Sequence, residues 1–378
     1  MLRPPLRLAA LLLLLAVALA AGPALWTRYL DALGGRSVAL HMPRERLGGS
    51  NELPLPHVSA ASEGLEMSGL EQAGAYAAAQ DSWALIVMRH DHIVYERYWH
   101  GSRPETRIDA QDLTPILVAL ATGTALSHRR LGWPDQPVGL LLKAWREDPR
   151  GAITVRQLLQ MTSGLAPHAT SGADLQAELM QRPLEATPGT RRLEQPADPE
   201  LLALVLEEAT AMRFADYVSG AIWRRIGAGD AWLWVERPGG AAHAACCLLS
   251  RQADWIRIGA LLLHDGNYRG DELLRPGWVA LLRTPVLADP RYGAYVRLRA
   301  AGRESYLAPD LFVLGSSGAH RLWLVPSLDL AILCTGGTAQ RAASWDDARI
   351  PNLILGAVRD FRPPAPQPGD LSSVVPGH

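Results

Sequence analysis

Two apolar runs set the first pattern in the chain. "WALIVM" at 83–88 is apolar throughout, and "HIVYERYW" at 92–99 alternates, with Asp91-His92 near the turn between them. A continuous run suits a buried strand and alternation a half-buried one, so the pair predicts two adjacent strands. Beyond residue 150 the apolar spacing becomes helical. "TVRQLLQM" starts with Thr154 three residues before Gln157, a capping-box spacing, and ends at Ser163-Gly164. "PELLALVLEEAT" places Pro199 in a first turn, "SRQADWIRIGALLLHDG" offers Ser250 as a cap and stops at Gly266, and "PGWVALLRT" opens on a proline. Strands return in "LFVLG", "HRLWLVP" and "LDLAILC", and "PNLILGAVRDF" reads as a closing helix. Strands at both ends with helices between them predict one sheet built from the two ends of the chain and covered by helices.

The extremities follow other rules. Arg3 and Arg7 precede an apolar run from Leu8 to about Ala21, and Ala18-Leu19-Ala20 offers a small-residue cleavage site. Extended to Trp26, the run approaches the roughly 20 residues that span a bilayer, so residues 1–26 read as a signal peptide or a signal anchor. Either reading exports the chain, and the Arg, Ala, Leu and Trp bias suits a bacterium with a GC-rich genome. The expected location is the periplasm, free or held to the inner membrane. Residues 27–60 read as a leader, 61–362 as the folded domain, and 363–378, with five prolines, as a disordered tail.

With 378 residues, 48% of them hydrophobic, the chain can bury a full core. Lys plus Arg (37) nearly balances Asp plus Glu (38), and no basic block occurs, which excludes the concentrated cationic surface that nucleic acid requires. Cys246 and Cys247 are adjacent and Cys334 is distant, so buried thiols are expected rather than a disulfide framework. No metal-ligand spacing occurs and no cofactor is expected. His90, His92 and His100 flank strands and read as surface residues, and Arg129-Arg130 and Arg224-Arg225 as solvated helix ends.

The chemistry turns on "RIDAQDLTPILVAL" at 107–120, where Asp109 and Asp112 stand three apart as an apolar run enters the core. Its surroundings resemble a known superfamily. "ALIVMRHDHIVYERYWHGSRPETRI", "ITVRQLLQMTSGL", "ATPGTRRLEQPADPELLALVLEEAT", "RQADWIRIGALLLHDGNYRGDELLRPGWV" and "LGSSGAHRLWLVPSLDLAIL" are together similar to serine β-lactamases and penicillin-binding proteins. The nearest branch is the class C-like esterases and 6-aminohexanoate-oligomer hydrolases. The resemblance runs from about residue 60 to 360. It implies an α+β fold of the β-lactamase/transpeptidase type: a mostly antiparallel sheet flanked by helices, plus a helical subdomain. It also implies acyl transfer by a Ser-x-x-Lys nucleophile, a Tyr-x-Asn motif and a Lys/His-[Thr/Ser/Gly]-Gly strand.

Each of those seats is altered. The serine position falls on Asp109 and the lysine position on Asp112. The Tyr-x-Asn positions fall on Glu194 and Pro196, and the strand motif on Ser316-Ser317-Gly318, which keeps the glycine and loses the cation. A slipped alignment does not restore the motif: Ser102 and Ser127 have Glu105 and Arg130 three residues on. Lys143 is the only lysine in the chain, and Leu140 stands three residues before it. Pro115 would clash with the carbonyl of Gln111 in a continuous helix, so Thr114 and Pro115 read as cap and first helical residue, and the helix is expected to start late. An aspartate near a helix N-terminus is also electrostatically comfortable, which gives Asp112 a purely structural reading.

Three functions follow. The first is a pseudoenzyme that keeps the scaffold and binds a small molecule or peptide. The second is a remodelled hydrolase of amide or ester bonds, or a divalent-cation site, in which Asp109, Asp112 and Glu194 converge and one carboxyl takes a raised pKa. The third is hydrolysis through another serine: Ser163, Ser316 or Ser317, the latter two with His320 nearby.

Overall fold

A computed structural model describes residues 42–363 apart from 53, 168–173, 300–304, 316–318 and 337–344. The expected signal segment, the tail beyond 363 and Ser316-Ser317-Gly318 therefore lie outside the described residues. Among the described residues no helix is long and apolar enough to cross a membrane.

The chain is α+β. Strands β2 (Ser82–Arg89) and β3 (His92–Tyr98) form the expected pair. They join β9 (Phe312–Leu314), β10 (Arg321–Val325) and β11 (Leu330–Gly336) in an antiparallel sheet of order β3-β2-β11-β10-β9. The two ends of the chain thus meet at the β2–β11 pairing. Both faces of this sheet are covered, and the side-chain alternation divides two cores. On one face Leu85, Val87, Trp323, Val325, Ile332 and Cys334 pack under α1 (Met67–Ala79) and α9 (Arg349–Ala357). On the other, Ala84, Ile86, Met88, Leu322, Leu324 and Leu333 meet α7 (Asp254–Leu263) and the helical part of the molecule.

That helical part centres on α2 (Pro115–Ser127), in which every residue from Pro115 to Leu126 is buried. A helix apolar all round has to lie inside. Around it lie α3 (Val155–Leu159), α4 (Leu175–Gln181), α5 (Ala197–Thr210) and α6 (Phe214–Val218). The expected capping box is present: Thr154 Oγ accepts from the Gln157 N–H and the Gln157 side chain accepts from the Thr154 N–H. The sequence "PGWVALLRT" gives α8 (Trp278–Leu282), which begins after Gly277.

A second sheet has order β1-β5-β6-β4, from β1 (Arg44–Leu47), β4 (Arg107–Asp109), β5 (Ala231–Trp234) and β6 (Leu248–Arg251). Part of the segment read as a leader is therefore a strand, paired with β5 from Arg44↔Trp234 to Leu47↔Ala231. Ser250, expected as a helix cap, lies inside β6; its Oγ accepts from the Trp255 indole, and α7 starts four residues later after Ala253. A two-stranded ribbon, β7 (Asn267–Tyr268) with β8 (Asp271–Glu272), follows α7.

The cysteines depart from expectation. Cys246 and Cys247 are joined by a disulfide, and Cys334 stays outside it as a buried thiol. Cys247 takes φ +68°, a conformation that L residues adopt seldom.

Candidate functional site

Asp109, expected at the nucleophile position, is a strand end. Asp109 closes β4 opposite Leu249 of β6, and Ala110 donates its N–H to the Leu248 carbonyl at 2.9 Å. Gln111 then turns the chain with φ +47° and opens a 3₁₀ turn, Gln111–Leu113, before α2 begins at Pro115. The late helix start is as Pro115 predicts, but Thr114 makes no side-chain cap hydrogen bond. Asp109 Oδ1 accepts the Gln111 N–H at 3.1 Å, and the Cys247 N–H also faces this carboxyl. Burial, helped by the charge of Asp112, still pushes its pKa up to about 6.

His320, the residue before β10, holds this corner. Its Nε2 lies 2.9 Å from the Asp109 carbonyl, and its Nδ1 accepts from the Gly336 N–H at 3.4 Å. A ring that donates from Nε2 and accepts at Nδ1 is the neutral tautomer, with both nitrogens engaged by main chain. It therefore has no lone pair to serve a serine as base. The Gln111 side chain accepts the Ala319 N–H at 3.2 Å and ties the same turn to the strand. Gly315 adjoins it with φ +85°, and a Cβ there would come within 2.4 Å of the His320 carbonyl oxygen, so the close approach requires glycine.

Asp112, Glu194 and Pro196 line one cleft of about 260 Å³ together with Arg192, Met161, Tyr292, Tyr295, Arg297 and Gly315. Asp109 is not among its lining residues, although its carboxyl feels the charge of Asp112. Of the three carboxylates expected to converge, two, Asp112 and Glu194, line the cleft and Asp109 does not. Among the described residues no group of three His, Cys, Asp or Glu could hold a metal ion. Ser316, Ser317 and Gly318 cannot be placed here, although their neighbour Gly315 is a wall residue.

Arg192 is one of two arginines that line the cleft. It lies 3.5 Å from the centroid of the Tyr292 ring and 3.8 Å from Glu194 Oε2. Its Nε is buried without a hydrogen-bond partner, and burial lowers its pKa despite Glu194. Arg297 enters from the other side, anchored at 2.5 Å by the buried Asp347, which also binds Arg321 at 2.9 Å and the Tyr306 hydroxyl. Sequence reading missed Arg192, Tyr292, Tyr295 and Arg297. Of these, only Arg192, two residues before Glu194, carried a local signal.

Below the cleft lies a closed polar network. Ser163 donates its hydroxyl to Asp198 Oδ1 at 2.5 Å and accepts the Leu165 N–H at 3.2 Å, while the Gln195 amide reaches Asp198 at 3.3 Å. Asp198 is completely buried and its pKa rises to about 7, because the loss of water outweighs these hydrogen bonds. Ser163 is 1% exposed and its proton goes to a carboxylate, which makes it a structural residue. Gly164 takes φ +76° where a Cβ would meet the Ala186 carbonyl at 2.1 Å, so "MTSGL" is a requirement of packing. Nearby, Tyr295 donates to the Leu158 carbonyl at 3.0 Å.

The comparisons agree with this geometry. The beta-lactamase family model matches residues 69–312. A 6-aminohexanoate-dimer hydrolase from Paenarthrobacter ureafaciens is 24% identical over 300 residues, covering 70% of this chain and 73% of that protein. A solved structure from Bacillus anthracis, assigned as a 6-aminohexanoate-dimer hydrolase, superposes with a TM-score of 0.70 at 15% identity, covering 87% of this chain and 92% of that one. The octameric penicillin-binding protein homologue from Pyrococcus abyssi gives a TM-score of 0.58 at 14% identity, covering 79% and 77%. The sheet order, the cleft and a family match over most of the folded region lead to one conclusion: the chain belongs to the beta-lactamase family.

Proposed function

We propose that this protein is a pseudoenzyme of the family, one that binds a small polar ligand or short peptide and does not hydrolyse through a serine. The observation that carries the reading is the nucleophile seat. Asp109 ends a strand, its main-chain carbonyl is engaged by His320, and it is not among the residues that line the cleft. A family nucleophile has to open a helix so that its oxygen meets substrate and its base lies one turn on. Here that turn is a 3₁₀ turn with Asp112 in it, and Lys143, the only lysine, is exposed on another 3₁₀ turn away from the cleft lining.

The lining suits recognition. Arg192, Glu194 and Asp112 offer charges of both signs, and Tyr292, Met161, Pro115 and Pro199 offer apolar surface. The Paenarthrobacter relative is named for a dimer of 6-aminohexanoate, a short amide, and a cleft of about 260 Å³ suits a ligand of that class. Export to the periplasm belongs to the same proposal: the apolar leader argues for it, and a disulfide suits an oxidising compartment.

The test is incubation of the purified protein with a chromogenic β-lactam and a short-chain nitrophenyl ester, followed by intact mass. No turnover and no adduct are expected. An acyl adduct would overturn the proposal, and mapping it would name the replacement nucleophile, Ser316 and Ser317 included. Turnover without an adduct would point instead to carboxylate chemistry at Asp112 and Glu194, the two acids that share the cleft.

A further inference from the structure

Stabilisation by a disulfide grows with the length of chain it closes. A bond between neighbours, Cys246 and Cys247, closes an eight-membered ring and ties no distant segments together, so its role has to be local. Its position is specific. The pair ends the loop that joins β5 to β6, and both sides of that loop are buttressed. The Trp234 N–H donates to the Cys247 carbonyl at 3.2 Å, the His243 N–H to the Trp234 carbonyl at 3.0 Å, and the Trp234 ring stacks on His243 at 3.7 Å. Ala245, one residue before the pair, lines the cleft. The Cys247 N–H faces the Asp109 carboxyl, and the next residue, Leu248, accepts the Ala110 N–H. The disulfide therefore touches both the wall of the cleft and the turn that carries Asp109.

Access is unequal. Cys246 is half-buried and Cys247 is 6% exposed. Cys334 belongs to the core under α1 and α9 and lies 3.3 Å from the Ser82 hydroxyl, so the third sulfur is occupied elsewhere.

We propose that Cys246–Cys247 is a reversible thiol–disulfide exchange site for a dithiol reductant, and that its redox state sets the hydrogen bonding of Asp109 and the cleft wall at Ala245. A reductant thiolate attacks Sγ of Cys246, the more open sulfur. The S–S bond breaks, and Cys247 leaves as a thiolate that takes a proton from water. The second thiol of the reductant then attacks the mixed disulfide, releases Cys246 as a thiol, and leaves as the reductant's own disulfide. Two electrons and two protons pass to the pair, and an oxidant of the same class reverses the step. With the ring open, the 246–247 peptide is free to leave its present conformation and withdraw its N–H from Asp109. The exchange chemistry is independent of the cleft's function; only its consequence for a ligand rests on the binding reading.

The test needs no ligand. The native full-length protein is treated with dithiothreitol, trapped with N-ethylmaleimide, and read by intact mass and peptide mapping, with amide hydrogen exchange on parallel samples. Expected are no adducts before reduction and two after it, at Cys246 and Cys247, with Cys334 labelled only on denaturation. Reduction should also speed exchange several-fold in peptides spanning 243–249 and 109–113 and leave 320–335 unchanged. Labelling of the untreated native protein at Cys246 or Cys247 overturns the proposal. So does reduction that requires denaturation, or reduction with no change in exchange near Asp109. A Cys246→Ser/Cys247→Ser variant should show no reductant response; if it does not fold, the wild-type measurement still decides. Because no substrate enters, failure here leaves the pseudoenzyme reading untouched, and an acyl adduct in the earlier assay leaves this one untouched.

Discussion

Strand β2 of the five-stranded sheet runs eight residues and feeds two cores, Ala84, Ile86 and Met88 to one and Leu85 and Val87 to the other. Strand β4 of the four-stranded sheet runs three residues and ends on an aspartate that faces a disulfide. The first sheet is specified by long apolar strings that any register slip would expose. The second is assembled from short pieces far apart in sequence, β1 to β5 and β4 to β6, and holds the polar and covalent features that shape the cleft. The cleft is lined mostly by loops, with Val313 of the five-stranded sheet, while the turn that carries Asp109 hangs from the four-stranded one, so the candidate site draws on the segments where local pattern is weakest.

The largest effect that separates the two regions is predicted for Trp323→Ala. This ring is fully buried in the five-stranded sheet and stacks with Trp345. Its loss should cost about 3–5 kcal/mol in urea unfolding. A loss below about 1 kcal/mol, within reach of a routine surface change, would break the picture of this sheet as the rigid half.

The next effect belongs to the site. Asp198 and Asp109 have folded pKa values near 7 and 6 against 3.8 for the free side chain. Between pH 4 and pH 7 the folded state therefore binds more protons than the unfolded one, and stability falls as pH rises through that window. The loss from these two groups should be about 6 kcal/mol from pH 4 to pH 8, the larger share from Asp198. Asp198→Asn keeps an acceptor for the Ser163 hydroxyl and should make the slope clearly shallower, Asp109→Asn should remove a smaller share, and the buried Glu200, whose pKa is also raised by burial, keeps its own part of it. An unchanged slope in Asp198→Asn, measured by thermal melts across that range, would place the pH sensitivity outside the site.

Thr154→Ala breaks the capping box ahead of α3 and should cost about 1 kcal/mol in the same unfolding assay. The smallest effect is expected from Asp109→Ser combined with Asp112→Lys. It restores two side chains without the helical turn that would aim them, and Glu194 and Pro196 still depart from the motif, so ester hydrolysis should stay at background. Rapid turnover by that double variant would show the turn to be as adaptable as the scaffold is fixed.

Much of the scaffold was legible. The paired strands at 83–99, the three C-terminal strands and the Thr154–Gln157 capping box depend on spacing within about ten residues, and periodicity reports that directly. Ser250 misled because a serine before an apolar helix is also what an edge of β6 looks like; only the pairing with Ile108 decides. Arg44–Leu47, "RERL", has no strand pattern of its own and becomes a strand by pairing with β5. The altered seats, Asp109, Asp112, Glu194 and Pro196, could be named from motif alignment, yet alignment placed three carboxylates together where the structure puts only two in the cleft.

What the sequence determined by itself is the fold class, the family and the absence of any Ser-x-x-Lys spacing, since Lys143 is the only lysine and Leu140 stands three residues before it. Tertiary structure decided the rest: that Asp109 ends a strand and stays out of the cleft lining, that Arg192 lies over Tyr292, that Ser163 is spent on Asp198, and that two neighbouring cysteines are bonded beside the site. Each of these is a contact between segments distant in sequence or a single main-chain conformation. Apolar periodicity reports which face of an element is buried, and carries no information about which polar group it will meet there.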